Sequence, residues 1–168
     1  MNYKWNYATP ADSADIMELN LLAQFEVDKI FNFTPNVWAH NIVTALVDQF
    51  YNARSNLLML ARDTDNKLLA YTWVKTVDGN MWSTEAVATV VMAHVDPDLS
   101  VRQRILLLKD MLKLWEQFAL QYNIPVICSN TIRSEQAAFL KLHKQNGYDV
   151  RGSIAYKRID PTQATPAD

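Results

Sequence analysis

The sequence predicts an α/β or α+β fold, built as a mixed sheet with helices on its faces. Apolar runs of strand length alternate with longer segments of helical periodicity, in the order β-α-α-β-β-β-α-β-α-β. The chain has 168 residues, 49% of them hydrophobic, which is enough apolar material for one substantial core. We therefore expect a single domain over residues 1–160 and a flexible C-terminal tail over 161–168, which holds no large apolar residue.

The N-terminal third is predicted to form one strand and two helices. Residues 3–8 are a short aromatic-rich strand, and Thr9, Pro10 and Asp12 suit the N-cap, first position and first turn of a helix. A second helix is expected over residues 35–53. The side chains expected to be buried on the two helices are Ile16, Leu19, Leu22 and Phe25, then Val37, Ile42, Leu46, Phe50 and Tyr51.

The middle of the chain is typical of β structure. Residues 56–62 and 67–74 flank a turn at 63–66 and predict a hairpin. After a second turn, residues 85–95 form a long run rich in Val, Ala and Thr, as expected of a central strand.

The C-terminal part predicts a helix, a strand, a helix and a last strand or strand pair. Residues 101–122 have the strongest helical pattern, and residues 124–128 follow as a short buried strand, which predicts a right-handed parallel crossover. Ser134 is expected to cap the next helix, which ends at Asn146 and Gly147, before a final strand or strand pair over 148–159. The stripe expected on the long helix is Ile105, Leu108, Met111, Leu112, Trp115 and Phe118.

Composition excludes several classes of function. The net charge of −2, with aromatic residues not interleaved with basic ones, argues against a nucleic-acid partner. The single cysteine, Cys128, is expected to be an inert core residue, and no Cys/His cluster is present to hold a metal. The N-terminus lacks a signal-peptide pattern, and no apolar run approaches the ~20 residues of a membrane helix. We therefore expect a soluble, cytoplasmic protein with no membrane partner.

Charge is unevenly divided along the chain. Residues 1–98 carry 6 basic and 12 acidic side chains, whereas residues 99–168 carry 10 basic and 6 acidic ones. The division is either an ordinary distribution over solvated surfaces or a sign that the C-terminal part faces an anion, such as a phosphorylated cofactor.

Four stretches, in this order along the chain, resemble the GNAT superfamily of acyl-CoA-dependent N-acetyltransferases. Residues 7–16, YATPADSADI, are similar to its opening strand, A-T-x-x-D motif and first helix. The turn at 63–67 is similar to its hairpin turn, and residues 95–97, VDP, to the V-x-P at the end of its fourth strand. Residues 137–148, AAFLKLHKQNGY, are similar to its A…L-Y-x-K-x-G-F close. The resemblance implies a GNAT-like, mostly antiparallel sheet with helices on both faces.

The resemblance also implies a function. A GNAT enzyme moves an acetyl group from acetyl-CoA to a primary amine by direct attack, so a small-molecule or peptide amine acceptor is expected, together with a homodimer. The family binds the CoA pyrophosphate at the start of its third helix, with the pattern Arg/Gln-x-x-Gly-x-Gly/Ala. Here residues 100–105 read SVRQRI, so both glycine positions carry side chains. The alternative is a catalytically inactive GNAT-fold binding or assembly protein, a role that divergent members, phage-encoded ones among them, would fit.

The resemblance assigns a set of residues to the cofactor. Arg102 and Arg104 either reach its phosphates or are solvated residues of the first helical turn. Gln103 stands where the family leaves space, and Ile105 is expected to turn inward as the first core residue of the helix. The full set is Val95, Val101, Arg102, Gln103, Arg104, Ile105, Ser129 and Gln136.

Three residues are catalytic candidates. His143 lies five residues before Tyr148, where the family often places the tyrosine that protonates the CoA thiolate, and an imidazole can supply that proton. His94 and Glu85, at the two ends of the predicted central strand, are candidates for the general base. Each also has a purely structural interpretation, as a helix-face histidine, a half-buried strand histidine and an exposed carboxylate. Ser129 and its neighbour Asn130 can donate hydrogen bonds to the acceptor or the pantetheine arm, or only close a loop.

Overall fold

The computed structural model describes residues 2–19, 30–131, 136–152 and 155. Within them, five strands form one sheet in the order β1-β2-β3-β4-β5. The strands are β1 Tyr3–Tyr7, β2 Asn56–Asp63, β3 Leu68–Asp78, β4 Ala86–Val95 and β5 Val126–Ser129. The helices are α1 Ser13–Glu18, after a 3-10 turn at Pro10–Asp12, then α2 Pro35–Tyr51, α3 Val101–Gln121 and α4 Ala137–Gln145. Strands β1 to β4 are antiparallel and β5 is parallel to β4, which confirms the predicted mixed, mostly antiparallel sheet.

Two hydrophobic cores lie on opposite faces of the sheet, because successive side chains of a strand point in opposite directions. Leu57 and Met59 of β2 belong to the core that α3 covers, and Leu58 and Leu60 belong to the core beneath α1 and α2. Trp115 of α3 is anchored to the sheet, since its Nε1–H donates to Thr72 Oγ1 at 2.8 Å.

The predicted start of the first helix is confirmed. The Thr9 N–H and hydroxyl both donate to Asp12 Oδ2, at 2.9 Å each. Burial alone would raise the pKa of Asp12, but hydrogen bonds from Thr9 and Arg62 hold this pKa below its ordinary value. Ile16 and Leu19 are buried as expected, whereas Leu22 and Phe25 lie outside the described residues.

The buried face of α2 differs from the predicted one. Ile42 and Leu46 are buried, but Val37, Phe50 and Tyr51 are exposed. The stripe that packs on the sheet follows the three-to-four spacing through Ile42, and the other three positions fall outside it. Its members are Trp38, Ile42, Ala45, Leu46 and Gln49.

The C-terminal half carries three further corrections. On α3 the first core residue is Leu107, while Ile105 is 43% exposed. Strand β5 is not buried on both faces, and Cys128 is exposed rather than a core residue, because only the alternate positions of this strand pack inward. Residues 148–152 and 155 contain no strand, and the other residues of the predicted final strand lie outside the described part, as do Ser134 and the tail 161–168. The end of α4 is confirmed, with Gly147 at a φ of 82° that suits a C-terminal glycine.

A bulge in β4 changes the direction of its last side chains. Trp73 of β3 pairs with Met92 and Val74 pairs with Val90, so Val91 is an extra residue. Before the bulge Val90 points into the core under α3, whereas beyond it Ala93 takes that direction. His94 therefore turns toward the α1 and α2 face.

The sheet opens next to this bulge. Pairing between β4 and β5 runs from Val87 to Val90 on β4 and ends at Ser129 on β5. Strand β4 continues to Val95 beyond that point. We call this opening, between the β4 segment 91–95 and the end of β5, the fork.

Candidate functional site

The fork and the start of α3 lie at the same end of β4. Asp96 is the first residue after β4 and is buried. Its N–H donates to Leu69 O at 2.8 Å, and its carboxylate forms an ion pair with Lys67 Nζ at 3.0 Å. The Asp96 carboxylate also accepts from the Asp98 N–H at 2.9 Å. These contacts fix the short connection from β4 to Ser100, which is the N-cap of α3.

Ser100 and Gln103 close the start of α3 with a capping box. The Gln103 Oε1 accepts hydrogen bonds from Ser100 N at 3.0 Å and from Ser100 Oγ at 2.8 Å. In return the Gln103 N–H donates to Ser100 Oγ at 3.4 Å. The capping-box signature S-x-x-Q is present in the sequence at residues 100–103. It accounts for a glutamine at position 103 without any contact to a cofactor.

The two arginines of the first turn differ in environment. Arg102 is exposed, whereas Arg104 lies on the same side of α3 as Leu107 and Met111, three and seven residues further on. The Arg104 Nε is buried and has no hydrogen-bond partner within the described part of the chain. A buried guanidinium nitrogen without a partner is unfavourable, and a bound anion would satisfy it.

The other cofactor candidates are dispersed around this region. Val101 and Ile105 are exposed on α3, and Val95, the last residue of β4, packs against the core under α3. Gln136 is exposed at the start of α4. Ser129 lies at the fork itself.

His143 is a core residue rather than an exposed helix-face residue. It is 3% exposed, and its ring contacts those of Phe139, Tyr148 and Trp115, with centroid separations of 4.1, 4.8 and 6.1 Å. Burial lowers the pKa of His143 below its ordinary value, although the hydrogen bond to the Phe139 carbonyl partly opposes this shift.

Both ring nitrogens of His143 have partners. Nδ1 lies 2.9 Å from Phe139 O and Nε2 lies 3.0 Å from Ser129 Oγ. The sequence placed His143 and Ser129 in two separate roles, and the structure brings the two side chains together.

The two candidates for the general base lie far apart. His94 is buried next to Tyr71, whose hydroxyl forms a hydrogen bond with His94 Nδ1 and whose ring meets the imidazole edge to face. Glu85 is exposed before the first residue of β4, and six residues of extended chain, about 20 Å, separate it from Val91. The structure therefore places His94 in the β4 segment that borders the fork and Glu85 away from the fork.

Within the described ranges, no helix is long and apolar enough to cross a membrane. Those same residues contain no group of three or more His, Cys, Asp or Glu side chains that could hold a metal ion.

Comparison with known proteins identifies the fold. Neither a scan against protein-family models nor a search of curated proteins gives a match. Among solved structures, the chain is similar to a predicted acetyltransferase with acetyl-CoA from Clostridium acetobutylicum, with a TM-score of 0.71, 12% identity, and coverage of 94% of this chain and 96% of that one. It is also similar to an aminoglycoside 6'-N-acetyltransferase from Acinetobacter baumannii, with a TM-score of 0.69, 13% identity, and coverage of 95% and 99%. A third similar structure is the glucosamine-6-phosphate N-acetyltransferase of Arabidopsis thaliana, with a TM-score of 0.67, 13% identity, and coverage of 95% and 100%. The chain has the GNAT fold.

Proposed function

We propose that this protein is an N-acetyltransferase that moves an acetyl group from acetyl-CoA to a primary amine by direct attack. The observation that carries the proposal is the meeting of three features at one end of β4. The β4–β5 pairing ends at Val90, the bulge at Val91 follows at once, and only five residues separate the end of β4 from the start of α3. A fork of this kind can admit an extended thioester arm, with its phosphates at the helix start.

The start of α3 would hold the phosphates of the donor. The first N–H groups of any helix have no partner within that helix and carry a partial positive charge. Arg104 adds a guanidinium whose buried Nε lacks a partner among the described residues, and Arg102 adds a second charge. We infer that these groups replace the backbone contacts that a glycine-rich loop would provide.

The edge of β4 would hold the arm that carries the thioester. The described residues of β5 end opposite Val90, and segment 91–95 continues beyond them. An extended ligand can add to such a strand edge through backbone hydrogen bonds. The acetyl group would then lie next to the bulge and next to Ser129.

The acceptor would be a small-molecule or peptide amine that enters from the α1 and α2 face. Two of the similar structures are named for acetylation of an aminoglycoside and of glucosamine 6-phosphate, which supports an amine of this class. The incoming ammonium must lose one proton before it can attack. Of the two candidate bases, His94 fits this step, because it lies in the β4 segment that borders the fork and is turned toward the α1 and α2 face.

One observation favours the second candidate, a GNAT-fold binding or assembly protein without catalysis. The capping box uses the Gln103 side chain to satisfy the start of α3 from within the chain. A helix start that is already satisfied has less need of a phosphate.

Calorimetric titration with acetyl-CoA and with CoA separates the two candidates. We expect the wild type to bind both ligands and the Arg102→Ala/Arg104→Ala double variant to bind them more weakly. Binding by the variant should also depend less on salt, because exposed charges are screened by ions. The matched control is Lys109→Ala/Lys113→Ala, which removes two exposed charges further along α3. Absence of binding to the wild type at millimolar ligand would rule out the acetyltransferase and leave the binding protein.

A further inference from the structure

The hydrogen bond between Ser129 and His143 has a direction that the surrounding atoms impose. A backbone carbonyl can only accept, so the proton of the imidazole is on Nδ1, which faces Phe139 O at 2.9 Å. In a neutral imidazole the other nitrogen is then an acceptor. The Ser129 hydroxyl therefore donates to His143 Nε2, at 3.0 Å. The same order of groups, with a carboxylate in place of the carbonyl, activates serine in hydrolases.

Ser129 lies where the reacting atoms of the proposed transfer would be. It is the last residue of β5 and pairs with Val90, next to the bulge. Its side chain shares a face of β5 with Ile127, which packs against the core under α3. Ser129 is partly exposed, whereas His143 behind it is buried. Only the hydroxyl can therefore reach a ligand in the fork.

We propose, on the basis of the acetyltransferase function above, that Ser129 and His143 form the proton relay of acetyl transfer. Ser129 is the residue that contacts the reacting atoms, and His143 is the positioning residue that holds the proton behind it. This replaces the direct role for His143 as the acid that protonates the thiolate.

The relay moves one proton from nitrogen to sulfur. Attack of the neutral amine on the thioester carbonyl forms the C–N bond and leaves a positive charge on nitrogen. Nitrogen and sulfur are then bound to the same carbon, so one hydroxyl can reach both. Ser129 Oγ takes the proton from nitrogen while its own proton passes to His143 Nε2. When the C–S bond breaks and its electron pair leaves with sulfur, the proton returns through Ser129 to the thiolate. The products are the amide and the CoA thiol, and both side chains regain their first protonation state.

The surroundings of His143 suit a proton held only briefly. Burial favours the neutral ring at rest, and the Phe139 carbonyl orients Nδ1–H and stabilises the imidazolium while it exists. His143 lies in the last turn of α4, where the helix dipole also favours a positive charge. Among the described residues, Tyr148 is a titratable group whose ring contacts that of His143, and Glu116 lies near Tyr148. Lys144 is the next residue on the same helix, and neighbouring residues of a helix do not face each other. Burial raises the pKa of Tyr148 to about 12, so this phenol does not titrate near neutral pH.

The first test of the relay is independent of activity. Nitrogen-15 NMR of the wild type at pH 7.5 should find His143 neutral, with the proton on Nδ1. Ser129→Ala should change the Nε2 shift of His143 and leave the tautomer unchanged, since Phe139 O remains. A proton on Nε2 in the wild type would overturn the proposal, because Ser129 could not then pass its proton to the ring.

The second test is kinetic and uses acetyl-CoA with an aminoglycoside, glucosamine 6-phosphate and a peptide with a free N-terminus as acceptors. Release of free thiol is measured over a range of pH, and acetyl-CoA affinity is measured by calorimetry. We expect Ser129→Ala and His143→Gln each to lower kcat by about 100-fold or more, with little change in acetyl-CoA affinity. The double variant should be no slower than either single one, because the two residues act as a unit. Ser129→Thr keeps the hydroxyl and should be more active than Ser129→Ala. The control is Cys128→Ser, which alters the adjacent exposed residue and should leave activity unchanged.

The pH profile gives the readout that a merely structural role would not change. Activity of the wild type should fall on the acid side as His143 becomes protonated and can no longer accept. This part of the acid limb should be absent in His143→Gln, whereas the part that reflects protonation of the acceptor amine should remain. A wild type that is active and a Ser129→Ala variant that is equally active would overturn the relay alone. Acetyl-Ser129 found by mass spectrometry would also overturn it, in favour of a covalent intermediate. A wild type that neither binds acetyl-CoA nor releases thiol with any acceptor would overturn the acetyltransferase function and the relay with it.

Discussion

The protonation of His143 is coupled to folding, because the folded protein buries a ring that the unfolded chain exposes. Burial lowers the pKa of His143 in the folded state below its ordinary value of 6.5. Below pH 6.5 the unfolded chain therefore binds a proton that the folded protein resists. The free energy of unfolding then decreases as pH falls from 6.5 to the folded pKa, and it is unaffected by this group above that window.

The prediction is that His143→Phe reduces the loss of stability between pH 7.5 and 5.5. Urea denaturation of both proteins at the two pH values gives the difference directly. His40→Phe serves as the control, because His40 is an exposed histidine on α2. If the wild type and His143→Phe lose the same stability over this range, His143 is not the group that titrates.

Single residues also account for what the sequence could not predict about the site. Fourteen residues separate Ser129 from His143, and their contact depends on how α4 packs beside β5. Local periodicity contains no information on that packing. Val91 stands within a run of apolar residues with no turn signal, so the bulge and the direction of His94 were not visible either. The sequence did identify His143 as a catalytic candidate, because it lies five residues before Tyr148. The structure places it beside Ser129.

At the scale of elements, the sequence predicted the strands and helices well and their buried faces less well. Hydrophobic periodicity located the five strands of the described residues, together with α2, α3 and α4, to within a few residues. It did not fix the rotation of α3, because residues 105–108 are four consecutive apolar positions. For β5, a run of apolar residues fits a strand buried on two faces as well as one buried on a single face. Tertiary packing decided both cases.

The rotation of α3 predicts different effects for two neighbouring truncations. Leu107 is 0% exposed and packs against the sheet, whereas Ile105 is 43% exposed. Leu107→Ala should lower the free energy of unfolding by about 2–5 kcal/mol, the usual loss for a buried leucine. Ile105→Ala should cost only about 1 kcal/mol, because much of its side chain stays in water in the folded protein. Urea denaturation measures the free energy of unfolding of both variants. A larger loss for Ile105→Ala than for Leu107→Ala would mean that Ile105, and not Leu107, is the core residue.

For the whole molecule, the fold and the site follow from different kinds of information. The order of elements and the four GNAT-like stretches extend over most of the chain, so the fold could be predicted from many weak signals. The proposed binding of CoA would depend on a few groups at the start of α3. There the chain carries a capping box and two arginines instead of glycines.

The excess of basic residues after position 98 also bears on whether the protein binds CoA. The described elements in that part of the chain are α3, β5 and α4, and the start of α3 and the end of β5 border the fork. A positive potential on this side would attract the phosphates of a CoA donor. The acidic excess lies in residues 1–98, which supply β1 to β4 and the helices of the opposite face.

Gln103→Gly decides whether the closed helix start admits the cofactor. The variant removes the hydrogen bonds of the Gln103 side chain and adds backbone freedom, while the N–H of residue 103 can still donate to Ser100 Oγ. It should therefore lose about 1 kcal/mol for the glycine and a further 0.5–1.5 kcal/mol, roughly, for the lost side-chain hydrogen bonds. Gln117→Gly, at an exposed position further along α3, measures the glycine effect alone, and the difference between the two variants isolates the hydrogen bonds of the Gln103 side chain.

Calorimetry with CoA then completes the comparison of the two candidate functions. If the phosphates bind Arg104 and the first N–H groups of α3 while Ser100 and Gln103 stay paired, CoA affinity should change little in Gln103→Gly, or improve slightly. Strong binding of CoA by Gln103→Gly, with none by the wild type, would mean that the Gln103 side chain closes the natural helix start to the cofactor. The chain would then be a former acetyltransferase whose fold now serves a binding role, and the residues at the fork would have no acyl donor to act on.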